Sequence, residues 1–266
     1  MPSGSKALTN NDKFSFRRAN NYASSRSRRD ALVLATKISL ATSAATFMSV
    51  NAWANELVHT AQTSEGPLYP DKMPIDTDND LLLVNGATLP GTGEILHLSG
   101  RIVDAMGSPL RNAFVEIWQC DAMGIYRHSR HEKQSGGKFD RNFQGYGRFL
   151  TDVDGLYYFR TIKPVPYTFQ GADRAPHIHF AISRNGARIF TTEMSIKDHP
   201  KNVKDRIINR LTEEQLATVQ VNYKTLPGSQ LAEVTATFNI AIGTTSDDTD
   251  AKAIRGGISK STWQTL

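Results

Sequence analysis

An all-β fold, an antiparallel β-sandwich core with long loops and a few short helices, is what this sequence predicts. Three observations lead there. From Ile95 onward the chain breaks into short alternating or apolar runs, at residues 95–103, 113–119, 148–151, 157–161, 177–183, 189–195 and 231–242. Turn-forming clusters separate them, as expected for a sandwich of short strands. Helical periodicity is scarce along the whole chain.

Residues 55–85 are rich in turn signals such as Gly66-Pro67, Tyr69-Pro70 and Asp76-Thr77-Asp78-Asn79-Asp80, and read as irregular structure. Met106-Gly107-Ser108-Pro109 separates the first two predicted strands, and Asp152-Val153-Asp154-Gly155 lies between the third and fourth. Arg184-Asn185-Gly186 is a hairpin signal, because Asn-Gly tolerates the positive φ values of a tight two-residue loop. Residues 128–147 are polar and glycine-containing and read as a long surface loop. Thr212, followed by Glu213, Glu214 and Gln215, predicts a capped helix start, and residues 201–210 predict another short helix.

The chain has 266 residues and a net charge of +5. Residues 1–54 hold eight Lys or Arg and two acids, leaving 23 basic against 24 acidic residues in the rest. The basic character therefore belongs to the N-terminal segment, and no patch in the remainder argues for nucleic acid. That segment reads as a cleavable export signal. Arg28-Arg29 precedes a weakly apolar run from Ala31 to Val50, which closes on Ala52-Trp53-Ala54, an A-x-A type cleavage site. The run is too polar for a membrane span, with Lys37 inside it. The Arg pair resembles a twin-arginine signal, which predicts a protein working in a bacterial periplasm or at the cell surface. A transit peptide or a disordered basic tail is the alternative. Residues 55–242 form the predicted folded domain, and 243–266 a polar tail in which Trp263 is a candidate docking side chain.

Cys120 is the single cysteine, so an intramolecular disulfide and a multi-cysteine zinc site are both excluded. It reads as a small buried hydrophobe. The chemistry lies elsewhere. In Arg174-Ala175-Pro176-His177-Ile178-His179-Phe180 a strand would turn His177 and His179 to one face, with Ile178 and Phe180 on the other. Neutral imidazoles are common metal ligands. Tyr126 and Tyr167 would add hard anionic oxygens, a donor set that suits Fe(III) better than zinc.

With these residues assembled, the chain resembles the intradiol ring-cleavage dioxygenases, in their protocatechuate-dioxygenase-like branch. One motif runs from Leu98-Ser99-Gly100-Arg101-Ile102 through Gly107, Leu110 and Val115-Glu116-Ile117 to Gly124-Ile125-Tyr126. A second runs from Phe159 to Tyr167, the third is the Arg174 to Phe180 block, and Glu65-Gly66-Pro67-Leu68-Tyr69 resembles the segment entering the family's active site.

The resemblance implies iron held by Tyr126, Tyr167, His177 and His179, with Tyr126 and His177 equatorial and Tyr167 and His179 axial. It further implies cleavage of a catechol by O₂ between its two hydroxyl-bearing carbons, giving a muconate-type diacid. Tyr167 would be the displaceable ligand that takes one substrate proton. Arg174 would stabilise charge on the catecholate oxygens and contact substrate, the alternative being a structural ion pair with Asp173 or Asp154. Phe169 and Leu68 would line the substrate pocket. With all four ligands on one chain, the resemblance leaves room for a self-sufficient homo-oligomer.

Three departures stand out. Relatives usually read Arg-Pro-Ala-His where this chain has Arg174-Ala175-Pro176-His177, the Tyr167–His177 interval looks shorter, and Glu193 stands where Gln is frequent. A non-catalytic β-sandwich that binds a metal or a catechol is the main rival reading. A zinc or copper hydrolase recruiting His128 or His131 is the other.

Overall fold

A computed structural model describes residues 57–243. The export signal expected at 1–54, and the tail beyond Gly243 with Trp263, lie outside the described residues.

The core is two facing five-stranded sheets. In the first, β1 (Ile95–Val103) lies at the centre, paired antiparallel with β4 (Leu156–Ile162) and parallel with β11 (Val234–Thr237) and β12 (Ile240–Ala241). The two-residue strand β10 (Lys224–Thr225) adds to β11. The second sheet has the order β3 (Tyr146–Leu150), β2 (Phe114–Trp118), β7 (His177–Arg184), β8 (Ala187–Ile196), β9 (Gln220–Val221). Pairing is mixed rather than wholly antiparallel, because β11 and β12 join β1, and β9 joins β8, in the parallel sense.

Period-two alternation sorts the side chains of the second sheet. Val115, Ile117, Ile178, Phe180, Ile182 and Met194 enter the core between the sheets. Leu96, Leu98, Ile102 and Phe159 meet them from the first sheet, and Phe180 packs edge-on against Phe238 at 5.0 Å. Each such side chain contributes about 1.5–3 kcal/mol through burial. The opposite face of the second sheet carries Glu116, Trp118, His177, His179 and Glu193, and this face is also buried. Connecting segments cover it, and under them sits a second apolar cluster containing Leu68, Trp118, Cys120, Tyr126, Tyr146, Tyr167 and Phe169.

The Asn185-Gly186 hairpin forms as expected, with φ of 51° and 79° joining β7 to β8. Several expectations are corrected. The segment 128–147 is not a plain loop: it contains helix α1 (Ser129–Gln134), which the His128 side chain caps by accepting from the Arg130 N–H. Residues 201–210 form two short 3₁₀ turns, Pro200–Lys204 and Ile208–Arg210, rather than one helix. The predicted strand at 231–242 is broken into β11 and β12. Helix α2 (Glu213–Val219) starts where expected, with Thr212 and Gln215 exchanging both bonds of a capping box. Among the described residues no helix is long and apolar enough to cross a membrane.

Candidate metal centre

The four donors reach the site from three pieces of the fold. Strand β7 presents His177 and His179 on its outer face. Tyr126 follows the turn Asp121–Gly124, where the Asp121 side chain accepts the N–H groups of Met123 and Ile125. Gly124 has φ of 78°, and a Cβ there would lie 3.0 Å from the Pro166 carbonyl oxygen and 3.3 Å from the Tyr167 Cβ. Glycine thus lets the two tyrosine motifs touch. Tyr167 opens a small hairpin of β5 (Tyr167–Phe169) and β6 (Ala172–Arg174), turned at Gln170-Gly171 with φ of 51° and 76°. That tight turn accommodates the short Tyr167–His177 interval and sets Arg174 directly opposite Tyr167.

The four side chains converge. His177 Nε2 lies 3.2 Å from His179 Nε2 and 3.3 Å from Tyr126 Oη. The Tyr126 and Tyr167 rings meet edge-on at 4.9 Å, and Tyr167 lies 5.5 Å from the His177 ring. His177 Nδ1–H donates to the Ala175 carbonyl at 2.7 Å, which leaves the Nε2 lone pair facing the centre. Trp118 stacks on His179, and Gly66 (φ 72°) turns the chain past the other side, where a Cβ would stand 3.4 Å from His179 Cε1.

Protons do not suit this cluster. Burial lowers the pKa of His177, and burial together with His177 and Arg174 lowers that of His179 well below its ordinary value. Burial, together with Tyr167, raises the Tyr126 phenol well above its ordinary range. Burial also raises Tyr167, with Arg174 opposing and Glu193 adding to the rise. Two imidazole lone pairs and two phenols therefore face one another in a buried site. A multivalent cation fits there: it would bind the lone pairs and supply the positive charge needed to ionise the phenols. Oxygen donors of this kind favour a hard, highly charged ion.

Arg174 does not pair with Asp173 or Asp154. Asp173 accepts from Thr168 at 2.5 Å, and Arg101 Nε–H donates to the Asp154 carbonyl. The Arg174 guanidinium instead donates to Glu193 Oε2 at 2.5 Å and to Asp205 Oδ2 at 2.9 Å. Burial opposes its charge, but Glu193, Tyr167 and Asp205 outweigh that and raise its pKa. Asp205 also accepts the Ala175 N–H at 2.8 Å, anchoring the segment in which Pro176 has no donor of its own. Glu193 is buried rather than solvent-facing. His177, His179 and Glu193 can bring ligand atoms within 4.8 Å of one another, but Glu193 approaches the Nδ1 edge of His179, away from the converging Nε2 atoms.

Leu68 and Phe169 are buried in the same cluster as Tyr126 and Tyr167. Cys120 is sealed there too, its thiol pushed up to about 12 by burial and Asp121, as an inert packing residue. His128 caps α1, and His131 Nδ1 accepts the Tyr126 N–H at 3.2 Å, so the two loop histidines serve the backbone. His131, Trp118 and Asp205 were not signalled by any motif. Glu116, Glu65 and Tyr69 lie in the motif segments, but the charge network they form does not show in the sequence: Glu116 accepts from Tyr69, Tyr146 and Arg188, and Arg188 also reaches Glu65.

A β-sandwich that brings two buried tyrosines beside two histidines of one sheet face offers a donor set suited to a hard metal ion. A family model described as Dioxygenase matches residues 64–242, and the chain belongs to that family, the intradiol ring-cleaving dioxygenases, which are oxidoreductases. It is 35% identical over 165 residues to the protocatechuate 3,4-dioxygenase beta chain of Burkholderia cepacia, covering 55% of this chain and 68% of that one. It is 32% identical over 158 residues to catechol 1,2-dioxygenase 2 of Acinetobacter lwoffii, covering 53% of this chain and 52% of the relative. The chain thus spans about half the length of that relative. The solved catechol 1,2-dioxygenase of Acinetobacter sp. ADP1 superposes with a TM-score of 0.55 at 26% identity, over 82% of this chain and 71% of the other.

Proposed function

We propose that this protein is a ferric dioxygenase that opens a catechol-type ring between its two hydroxyl-bearing carbons, giving a muconate-type diacid. Tyr126, Tyr167, His177 and His179 would hold Fe(III). The observation that carries the reading is the convergence of two imidazole Nε2 atoms, 3.2 Å apart, with Tyr126 Oη at 3.3 Å in a buried site. When bound, Fe(III) would supply a Lewis-acid site that a catechol could chelate through both oxygens, which would render the ring reactive toward O₂.

The protein's own residues do the rest. Tyr167 Oη, ionised when the cation is bound, takes one of the two hydroxyl protons that a chelating catechol must lose, and the other passes to solvent as the substrate enters. The Arg174 guanidinium, opposite Tyr167 on β6, stabilises negative charge on the catecholate oxygens. Leu68 and Phe169 give the ring an apolar wall that excludes water. Both atoms of O₂ end in the product, so no external reductant is needed.

The test is direct. Purified protein loaded with Fe(III) should be red-brown and consume O₂ with at least one of catechol, protocatechuate and hydroxyquinol, forming an ultraviolet-absorbing diacid. A yellow semialdehyde would mean cleavage beside the hydroxyls and would overturn the mechanism. A protein that binds a catechol without oxygen uptake would support the non-catalytic rival.

Export accompanies this reading. The Arg28-Arg29 pair, the apolar run and Ala52-Trp53-Ala54 support removal of residues 1–54 and work in a periplasm or at a cell surface. Arg28→Lys with Arg29→Lys should trap precursor in the cytoplasm. Functional protein that begins at Met1 would contradict the leader.

A further inference from the structure

The pairing of β7 with β8 sets His179 directly across from Glu193. His179 Nε2 faces His177 Nε2, so Nδ1 is the nitrogen left to carry the proton. That Nδ1 is buried and has no hydrogen-bond partner among the described residues, and the carboxylate that stands over it is Glu193, with Oε1 at 3.5 Å. The other oxygen, Oε2, accepts from the Arg174 guanidinium at 2.5 Å. One side chain therefore meets two donors at once, with His179 fully buried and Arg174 largely so.

We propose that Glu193 is a positioning residue that holds the His179 imidazole and the Arg174 guanidinium together, giving each its own acceptor oxygen where the Gln frequent in relatives offers one oxygen and one NH₂ group. The proposal rests on the ferric reading above and goes beyond it. A carboxylate offers only acceptors, whereas a carboxamide offers one oxygen and an NH₂ group. Glutamine here would point N–H at one of the two donors and leave a buried donor unpaired. A carboxylate behind a metal-facing imidazole fixes its tautomer and ring orientation and strengthens the nitrogen that faces the metal. The same carboxylate orients Arg174, which stands opposite Tyr167. Glu193 thereby couples a ligand on β7 to the cation on β6. Asp205 holds Arg174 Nε and the Ala175 N–H independently, so the segment keeps an anchor when Glu193 is altered.

The experiment compares the parent with Glu193→Gln and Glu193→Asp in the full mature chain. Ferric affinity is read by competition with a chelator, alongside the position of the visible band and the split between kcat and KM. Glu193→Gln should lose roughly 10- to 100-fold in ferric affinity, move the band and lower kcat. Glu193→Asp keeps two acceptor oxygens and should recover part of the affinity. Affinity and band unchanged within about twofold in Glu193→Gln would overturn the proposal, as would an Asp variant no better than the Gln one. Nitrogen-15 NMR of the unaltered protein, metal-free and loaded with diamagnetic Ga(III), supplies a readout that needs no variant to fold. It should find the His179 proton on Nδ1, and a proton on Nε2 in the metal-free form would also overturn the proposal. A parent that takes up no ferric ion would sink the ferric reading instead, while the metal-free spectrum would still decide the role of Glu193.

Discussion

Trp118 lies flat against His179, with ring centroids 4.8 Å apart and planes within 2°. The two are cross-strand partners on β2 and β7, and Tyr69 packs edge-on against the same indole at 5.0 Å. The indole is thus a wall that fixes one face of an imidazole whose Nε2 points at the donor cluster. Trp118→Ala should destabilise the fold by about 3–5 kcal/mol through the cavity it leaves. Trp118→Phe should fold with a smaller cost, yet bind Fe(III) less tightly. Urea denaturation and chelator competition measure the two effects. Parent-like ferric affinity in a folded Trp118→Phe would remove the wall from the argument.

The two tyrosines should respond differently to loss of the hydroxyl. Tyr126 Oη reaches His177 Nε2 at 3.3 Å, so Tyr126→Phe removes an oxygen from the centre of the cluster and should bleach the visible band of iron-loaded protein. Tyr167→Phe leaves Tyr126, His177 and His179 in place. It should still bind iron, with an altered band, but take up catechol slowly because one proton acceptor is gone. Stopped-flow spectra of catechol binding separate these outcomes, and equal rates in the parent and Tyr167→Phe would contradict the proton role.

Much of this was legible in the sequence, and the part that was not has a common cause. The strands around Ile95, His177 and Ile189 stand out because alternation is the direct imprint of a two-faced sheet. The four donors stand out because their residue types are chemically unusual neighbours. The β5–β6 hairpin leaves no such trace: Tyr167-Thr168-Phe169 and Ala172-Asp173-Arg174 are each too short to alternate visibly. Helix α1 is likewise one polar turn and a half that buries only His131. Asp205 lies 31 residues from Arg174 and Trp118 61 residues from His179, so their partnership exists only once the strands are paired.

Arg174 was expected to act on the substrate, and its two carboxylate partners add a structural duty. Arg174→Ala should slow turnover by about 10²–10³, the typical cost of one preorganised electrostatic donor. It should also destabilise the fold, because Glu193 and Asp205 would remain buried without their counter-charge. Arg174→Lys should retain more stability than Ala but not the rate, since an ammonium cannot span both carboxylates as a planar fork does. Comparing melting temperature with kcat across the two variants separates the roles. A lysine variant with parent-like kcat would show that charge alone suffices.

Arg188 and Glu116 form a pair whose side chains are 4% and 3% exposed, joined at 2.8 Å behind the Trp118 wall. Removing one partner of a buried pair typically costs about 3–5 kcal/mol, and without Arg188 the Glu116 carboxylate would keep only its tyrosine donors and the more distant Arg148 at 3.9 Å. Arg188→Ala should fall in that range. Arg188→Met combined with Glu116→Gln should cost less than the two single changes added together. A double-mutant cycle by urea denaturation measures the coupling. Additive losses would mean the two side chains do not stabilise each other.

The stability of the metal-free protein should fall with acidity in two stages. Burial depresses His177, and burial with its neighbours depresses His179, so the folded state binds fewer protons than the unfolded chain below its histidine value of about 6.5. Stability rises with pH wherever the unfolded state binds more protons, so it should decline as pH drops from 7 toward 5. A second decline should follow below about pH 4. Burial opposes ionisation of Glu116, but Arg188 and the hydrogen bonds of Tyr146 and Tyr69 outweigh it; Arg174 and the backbone N–H groups of Ala175 and Ile208 do the same for Asp205. Both carboxylates therefore hold folded values below their unfolded ones, and their contribution is lost as they protonate. Asp121, raised chiefly by burial, works in the opposite direction and should soften this second stage. Melting temperature followed from pH 8 to pH 3 tests the sequence of events, and His177→Gln should shrink the first stage without abolishing it, because His179 and His131 are depressed too, and should leave the second stage in place. A melting temperature that rises between pH 7 and pH 5 would contradict the buried, neutral state of the two imidazoles.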